Sequence, residues 1–146
     1  MPGQGIDVKL RLTLREGSVY YFTDRSLTSP EPHYFIVVNS NPLTQEGLIL
    51  GVVTSKVAEV KRRRRDVPET IVEIPPQVFD ILKKLSIVDC NDLKQIPLIE
   101  FNERFVRNEI RCFDKDLPFV LRKALRRAIH ASNILADELK ALVAQP

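Results

Sequence analysis

Apolar and polar positions alternate near the start of the chain. Val8, Leu10, Leu12 and Leu14 are separated by Lys9, Arg11 and Thr13, a period of two that predicts a half-buried strand after a loose start. Glu16-Gly17 is a turn signal, and "SVYYF" follows as a second strand. Residues 24–32, "DRSLTSPEP", are polar and punctuated by two prolines, which predicts an exposed loop. "HYFIVV" and "LILGVV" are near-continuous apolar runs rich in β-branched and aromatic residues, as expected of central strands buried on both faces. Gly51 inside the second run predicts a bulge or a close backbone approach. "KVAEVK" fits a helical turn, and "ETIVEIPP" a short strand closed by prolines that cannot extend a ladder. "QVFDILKKL" places Val78, Phe79, Leu82 and Leu85 at helical spacing; "SIVDC" and "IPLIEF" read as strands separated by an "NDLKQ" turn.

From about Asn102 the period becomes helical. "NERFVRNEIRCF" predicts a helix with Asn102 at its N-cap, and Asp116-Leu117-Pro118 predicts the start of another, because proline is tolerated in a first turn. Leu121, Leu125, Ala128, Ser132, Leu135, Leu139 and Leu142 step by four and three, so this last helix is expected to run to about Val143. Such a stripe packs either on the protein's own barrel or against a partner or second copy. Many short strands with few long connections point to a small barrel or sandwich, mainly β with C-terminal α. The expected division is a barrel domain over residues 1–101 and a helical extension packed on it over residues 102–146.

Composition narrows the classes. A chain of 146 residues suits one domain with a real core. No apolar run is long enough for a membrane helix, and the start carries no secretory pattern, so a cytoplasmic protein is expected. Cys90 and Cys112 lack metal-type spacing and read as reduced, partly buried thiols. There is no Gly-rich phosphate loop or Gly-x-Ser-x-Gly elbow, and two histidines far apart in sequence make a metal centre improbable; no cofactor is expected. Net charge is +3, but five of the 22 lysines and arginines fall together, so the remaining 17 face 19 acidic residues. That block, Lys61, Arg62, Arg63, Arg64 and Arg65, is either a nucleic-acid contact or a solvated charged loop. "DCND", with Asp89, Asn91 and Asp92, reads as turn chemistry, since Asx side chains bond the backbone two residues on.

The succession "EGSVYYF", "PHYFIVV", "LILGVVTS" and "SIVDCNDLKQI", spanning about residues 16–101, resembles the strands of the MazF/PemK family of toxin-antitoxin toxins. The resemblance implies an SH3-like barrel, a homodimer, an antitoxin protein as partner, and single-stranded RNA as substrate. It also implies endoribonuclease chemistry without a metal, in which the RNA's own 2′-hydroxyl is the nucleophile. The protein then supplies a base, an acid and donors for the phosphorane charge. The family keeps a Ser or Thr at the end of its third strand, which Thr54 matches, with Ser55 beside it. Where the family has Arg-Pro before its second strand, this chain has Pro32-His33; His33 can move protons near neutral pH, and Arg25 is a candidate for the missing cation. His33 also reads as a residue at the mouth of a strand, packed beside Tyr34. The alternative function is a member of the fold without the chemistry, acting as a protein- or nucleic-acid-binding module.

Overall fold

The computed structural model describes residues 5–27 and 30–146. Residues 1–4 of the expected loose start, and Thr28 and Ser29 of the expected loop, lie outside the described residues. Helix α1 (Val8–Thr13) is followed by strands β1 (Val19–Phe22), β2 (His33–Val37) and β3 (Gly47–Thr54), then helix α2 (Val57–Arg63) and a 3-10 turn at Pro68–Thr70. Strands β4 (Ile71–Ile74) and β5 (Ser86–Pro97) precede α3 (Leu98–Val106), β6 (Arg111–Cys112), α4 (Phe119–Ala131) and the single turn α5 (Asp137–Lys140). The strands form one antiparallel sheet in the order β4-β5-β3-β2-β1-β6. The molecule is therefore mainly β with C-terminal α, a small barrel-like fold as the strand pattern predicts.

Both faces of the central strands are buried, as their unbroken apolar runs require. Ile36, Val38, Ile49, Val53 and Val88 join a core roofed by Leu121, Leu125, Ala128 and Ile129 of α4. Phe35, Val37, Leu48 and Leu50 face the other way, onto Leu10 and Leu14 and onto Leu98 and Phe101 of α3. Each large side chain so buried stabilises the fold by roughly 1.5–3 kcal/mol. Gly51 is the expected close approach: a Cβ there would lie 3.0 Å from Val88 Cγ1. It also sits at a break in register, since Gly51 pairs with Leu93 and Val53 with Val88, so β5 bulges over residues 89–92 opposite Val52.

Several local expectations give way to other structures. Val8–Thr13 is a helix, not a strand, because the Asp7 carboxylate accepts the backbone N–H groups of Lys9 and Leu10 as an N-cap. An alternating pattern also contains every i, i+4 pair; Leu10 and Leu14 are buried while Val8 and Leu12 are 59% and 72% exposed. Residues 77–85 form successive turns, with Phe79 and Leu82 inward, instead of the predicted helix. The "NDLKQ" segment runs straight through β5, and "IPLIEF" turns into α3 with Pro97 at its N-cap, a position where no N–H is needed. The helix expected from Asn102 thus begins earlier, and Arg111 and Cys112 pair with β1. Asn102 is not a cap; its side chain accepts the Asp7 N–H and donates to the Gly5 carbonyl.

The start of α4 behind Pro118 matches the sequence signal, but α4 stops at Ala131 instead of running to Val143. Ser132 adopts extended backbone there, accepts the Ile134 N–H and donates to Asn91 Oδ1 at 2.7 Å. The apolar stripe nevertheless stays within the chain: Leu135, Leu139 and Leu142 pack against the same core as Leu121 and Leu125.

Candidate nucleic-acid cleft

The start of β2 and the end of β3 lie side by side. Tyr34 pairs with Val53, and extending that register by one step sets His33 opposite Thr54. Around these strand ends opens a cleft of about 730 Å³. His33, Thr54, Ser55 and Lys56 line it from one side, Tyr21 and Tyr34 from the sheet, and Lys83, Lys84 and Ser86 from the segment entering β5. Glu31 lines it too. Thus three of the residues singled out from sequence, His33, Thr54 and Ser55, come together.

Their hydrogen bonds define what each can offer. His33 Nδ1 lies 2.9 Å from the Glu31 carbonyl oxygen. A carbonyl only accepts, so Nδ1 carries the proton and Nε2 is left with its lone pair, able to take a proton. Thr54 Oγ1 accepts the Lys56 N–H at 3.2 Å, an ST-type contact that turns the chain out of the strand. That bond uses an oxygen lone pair and leaves the Thr54 hydroxyl proton available for donation. Ser55 is exposed at the tip. Lys83 donates to the Asp80 carbonyl, a neutral partner, and among the described residues neither Lys56 nor Lys84 forms an ion pair.

Arg25 lies elsewhere. It lines a separate hollow with Thr23, Asp24, Glu100, Arg104, Arg107 and Glu109, where Arg104 donates to the Thr23 carbonyl and both Arg104 and Arg107 pair with Glu109. The cations facing the cleft are lysines. Lys83 and Lys84 were hidden in "ILKKLS", which reads as a helix whose lysines are ordinary solvated positions; the doubled lysine just ahead of a strand was the one available signal.

The basic block is largely exposed, but three of its five cations are paired with acids of the same chain. Lys61 pairs with Glu73, and Arg63 and Arg64 both reach Asp89 Oδ2, at 3.2 and 3.0 Å. Asp89 and Asn91 consequently line no groove: they are buried, and Asn91 donates to Thr70 Oγ1 and to Asp89 Oδ1 while accepting from Ser132. Burial pushes the Asp89 carboxyl up, but hydrogen bonds from Asn91, Arg64 and Arg63 outweigh it and hold the group below the usual carboxylate range. The Asp89 bond to the Asn91 N–H is the expected Asx contact, made inside the β5 bulge instead of a chain reversal. Arg62 and Arg65 remain exposed without a side-chain partner among the described residues.

Cys90 and Cys112 are free thiols, both pushed up by burial. Among the described residues no helix is long and apolar enough to cross a membrane.

No protein-family model matches the chain, and no curated protein sequence matches it. Among solved structures, it is similar to a mycobacterial endoribonuclease determined in complex with its cognate antitoxin, with a TM-score of 0.51 over 80% of this chain and 90% of that one. Sequence identity between the two is 13%, so what they share is the fold.

Proposed function

We propose that this chain is a MazF/PemK-like toxin-family protein that cleaves single-stranded RNA in the cleft at the ends of β2 and β3. The observation that carries the reading is the convergence there of His33, with Nε2 able to accept a proton, and Thr54, with a hydroxyl able to donate one, beside three lysines. In this reaction the RNA 2′-hydroxyl attacks the adjacent phosphorus, and His33 Nε2 takes its proton. Thr54, Ser55 and the ammonium groups donate to the non-bridging oxygens, where negative charge grows. The P–O5′ bond breaks as a lysine ammonium protonates the leaving 5′-oxygen, giving a 2′,3′-cyclic phosphate and a 5′-hydroxyl. Arg62 and Arg65 supply outlying phosphate contacts. An antitoxin partner and a homodimer belong to the same reading, supported by the fold shared with an antitoxin-bound endoribonuclease.

The test is cleavage of a long single-stranded RNA in excess EDTA. Thr54→Ala should lower the rate by about 10²–10³-fold, the usual cost of one transition-state donor, with circular dichroism unchanged. Full activity in the folded variant would remove Thr54 from the chemistry.

One observation favours a second reading, a binding module of the same fold. Arg25 faces another hollow, so among the described residues no arginine lines the cleft to carry phosphorane charge. On that reading the wild type binds RNA in the cleft and leaves it intact.

A further inference from the structure

Beside the cleft, one sheet face carries a row of rings at the edge of the core that α4 roofs: Tyr34 and Phe113 pack against that core, and Tyr21 lies outside both clusters. Tyr34 on β2 is registered opposite Tyr21 on β1, and Tyr21 opposite Arg111 on β6, so the three side chains share a face and cross three neighbouring strands. The Tyr21 and Tyr34 rings are 4.6 Å apart, Phe113 lies 5.6 Å from Tyr34, and the Arg111 guanidinium sits 5.1 Å from the Phe113 centroid. Tyr21, Tyr34 and Phe113 are only half-buried, and Arg111 is exposed with no carboxylate partner among the described residues. Among the described residues neither the Tyr21 nor the Tyr34 hydroxyl has a hydrogen-bond partner or is sealed from solvent, in contrast to Tyr20, whose hydroxyl is buried. Core packing covers only part of Tyr34 and Phe113, so the row keeps ring surface and two hydroxyls open to a ligand.

We propose that this row is a binding track for single-stranded RNA, continuous with the cleft: a base flanking the cleavage site stacks on Tyr21 and Tyr34, and the strand passes over β1 to place a phosphate at Arg111. The inference rests on the RNA reading of the cleft, which Tyr21 and Tyr34 also line. Three features on the track specify that occupant. The rings offer π-faces, which stack any base; the guanidinium offers a fixed positive charge for a phosphate; and the track opens directly into the lysine-lined cleft. An extended strand fits this geometry better than a compact ligand, because the groups are spread across three strands at one end of the sheet.

The experiment is equilibrium binding of a 2′-O-methyl oligoribonucleotide, which lacks the nucleophile, to the full chain over a salt series. An unmodified strand in EDTA serves as control, and thermal melts check each variant. Tyr21→Leu should weaken binding by roughly ten-fold with an unchanged salt dependence, since stacking releases no counterions. Arg111→Gln should reduce the slope of log affinity against log salt by about 0.7, the value for one lost single-strand phosphate contact. Lys84→Ala reports on the cleft independently. Loss of affinity in Lys84→Ala, with Tyr21→Leu and Arg111→Gln both at wild-type values, would overturn the track and leave the cleft standing. Absence of binding of either strand by the wild type would overturn both.

Discussion

Two groups of cations lie within about thirty residues of each other and face opposite circumstances. The block at residues 61–65 is the densest positive charge in the sequence, yet Lys61, Arg63 and Arg64 are held by Glu73 and Asp89 of the same chain. Lys56, Lys83 and Lys84 are scattered and unremarked in sequence, yet they face an open cleft and no ion pair among the described residues occupies them. Charge density along a chain is thus a poor guide to charge available to a ligand. What counts is whether the fold has already brought an acid to each base.

The comparison breaks most sharply at Asp89. Asp89→Ala strips Arg63, Arg64 and Asn91 of a shared, buried acceptor, and should cost about 1–3 kcal/mol, the usual result of losing charge-assisted hydrogen bonds whose cationic partners can still reach solvent. Urea unfolding measures it; a loss below about 1 kcal/mol would mean that the block is not anchored here.

Acid should do by titration what that substitution does by deletion. Because the Asp89 carboxyl is held low in the folded state, its contribution is complete above the unfolded value of about 4 and is lost as pH falls through the lower folded value. Asp89→Asn removes that contribution at every pH. The gap between the urea midpoints of wild type and Asp89→Asn should therefore close below about pH 4; a gap that stays constant in acid would show that ionisation of Asp89 does not matter.

The cleft lysines should respond in the opposite sense, through binding instead of stability. On the proposed RNA reading, the double substitution Lys56→Ala/Lys84→Ala should leave the unfolding midpoint nearly unchanged and cut the salt slope of RNA binding by about 1.4, two single-strand contacts. A smaller effect is expected at Arg62. Arg62→Ala should shift stability by less than about 0.5 kcal/mol and the slope by at most about 0.7, whereas a slope change exceeding that of the lysine pair would return the block to first rank among the RNA contacts.

Part of this was legible in advance. The runs at residues 34–38 and 48–53 announced buried central strands, Gly51 announced the break in register, and Pro118 announced α4. These signals are local: burial on both faces, a missing Cβ and a missing N–H act over a few residues. Where local signals conflicted, capping decided, as Asp7 made a helix of an alternating segment and Ser132 ended one despite a continuing stripe. The order of the apolar runs also marked Thr54 and His33, because both sit where strands begin or end, and a strand end can be read from its run.

The sequence by itself therefore determined the central strands, the mainly β class with its C-terminal helix, and the hydroxyl and imidazole at the strand ends. Only the tertiary structure decided which cations were free. Asp89 lies 25 residues from Arg64, and Ser132 lies 41 from Asn91, yet both pairs meet across elements whose approach depends on sheet order and on the β5 bulge. The same sheet order sets Arg111 beside Tyr21 and carries Arg25 away from the cleft. Periodicity fixes which way a side chain points from its own element, and the partner it finds there is supplied by distant parts of the chain.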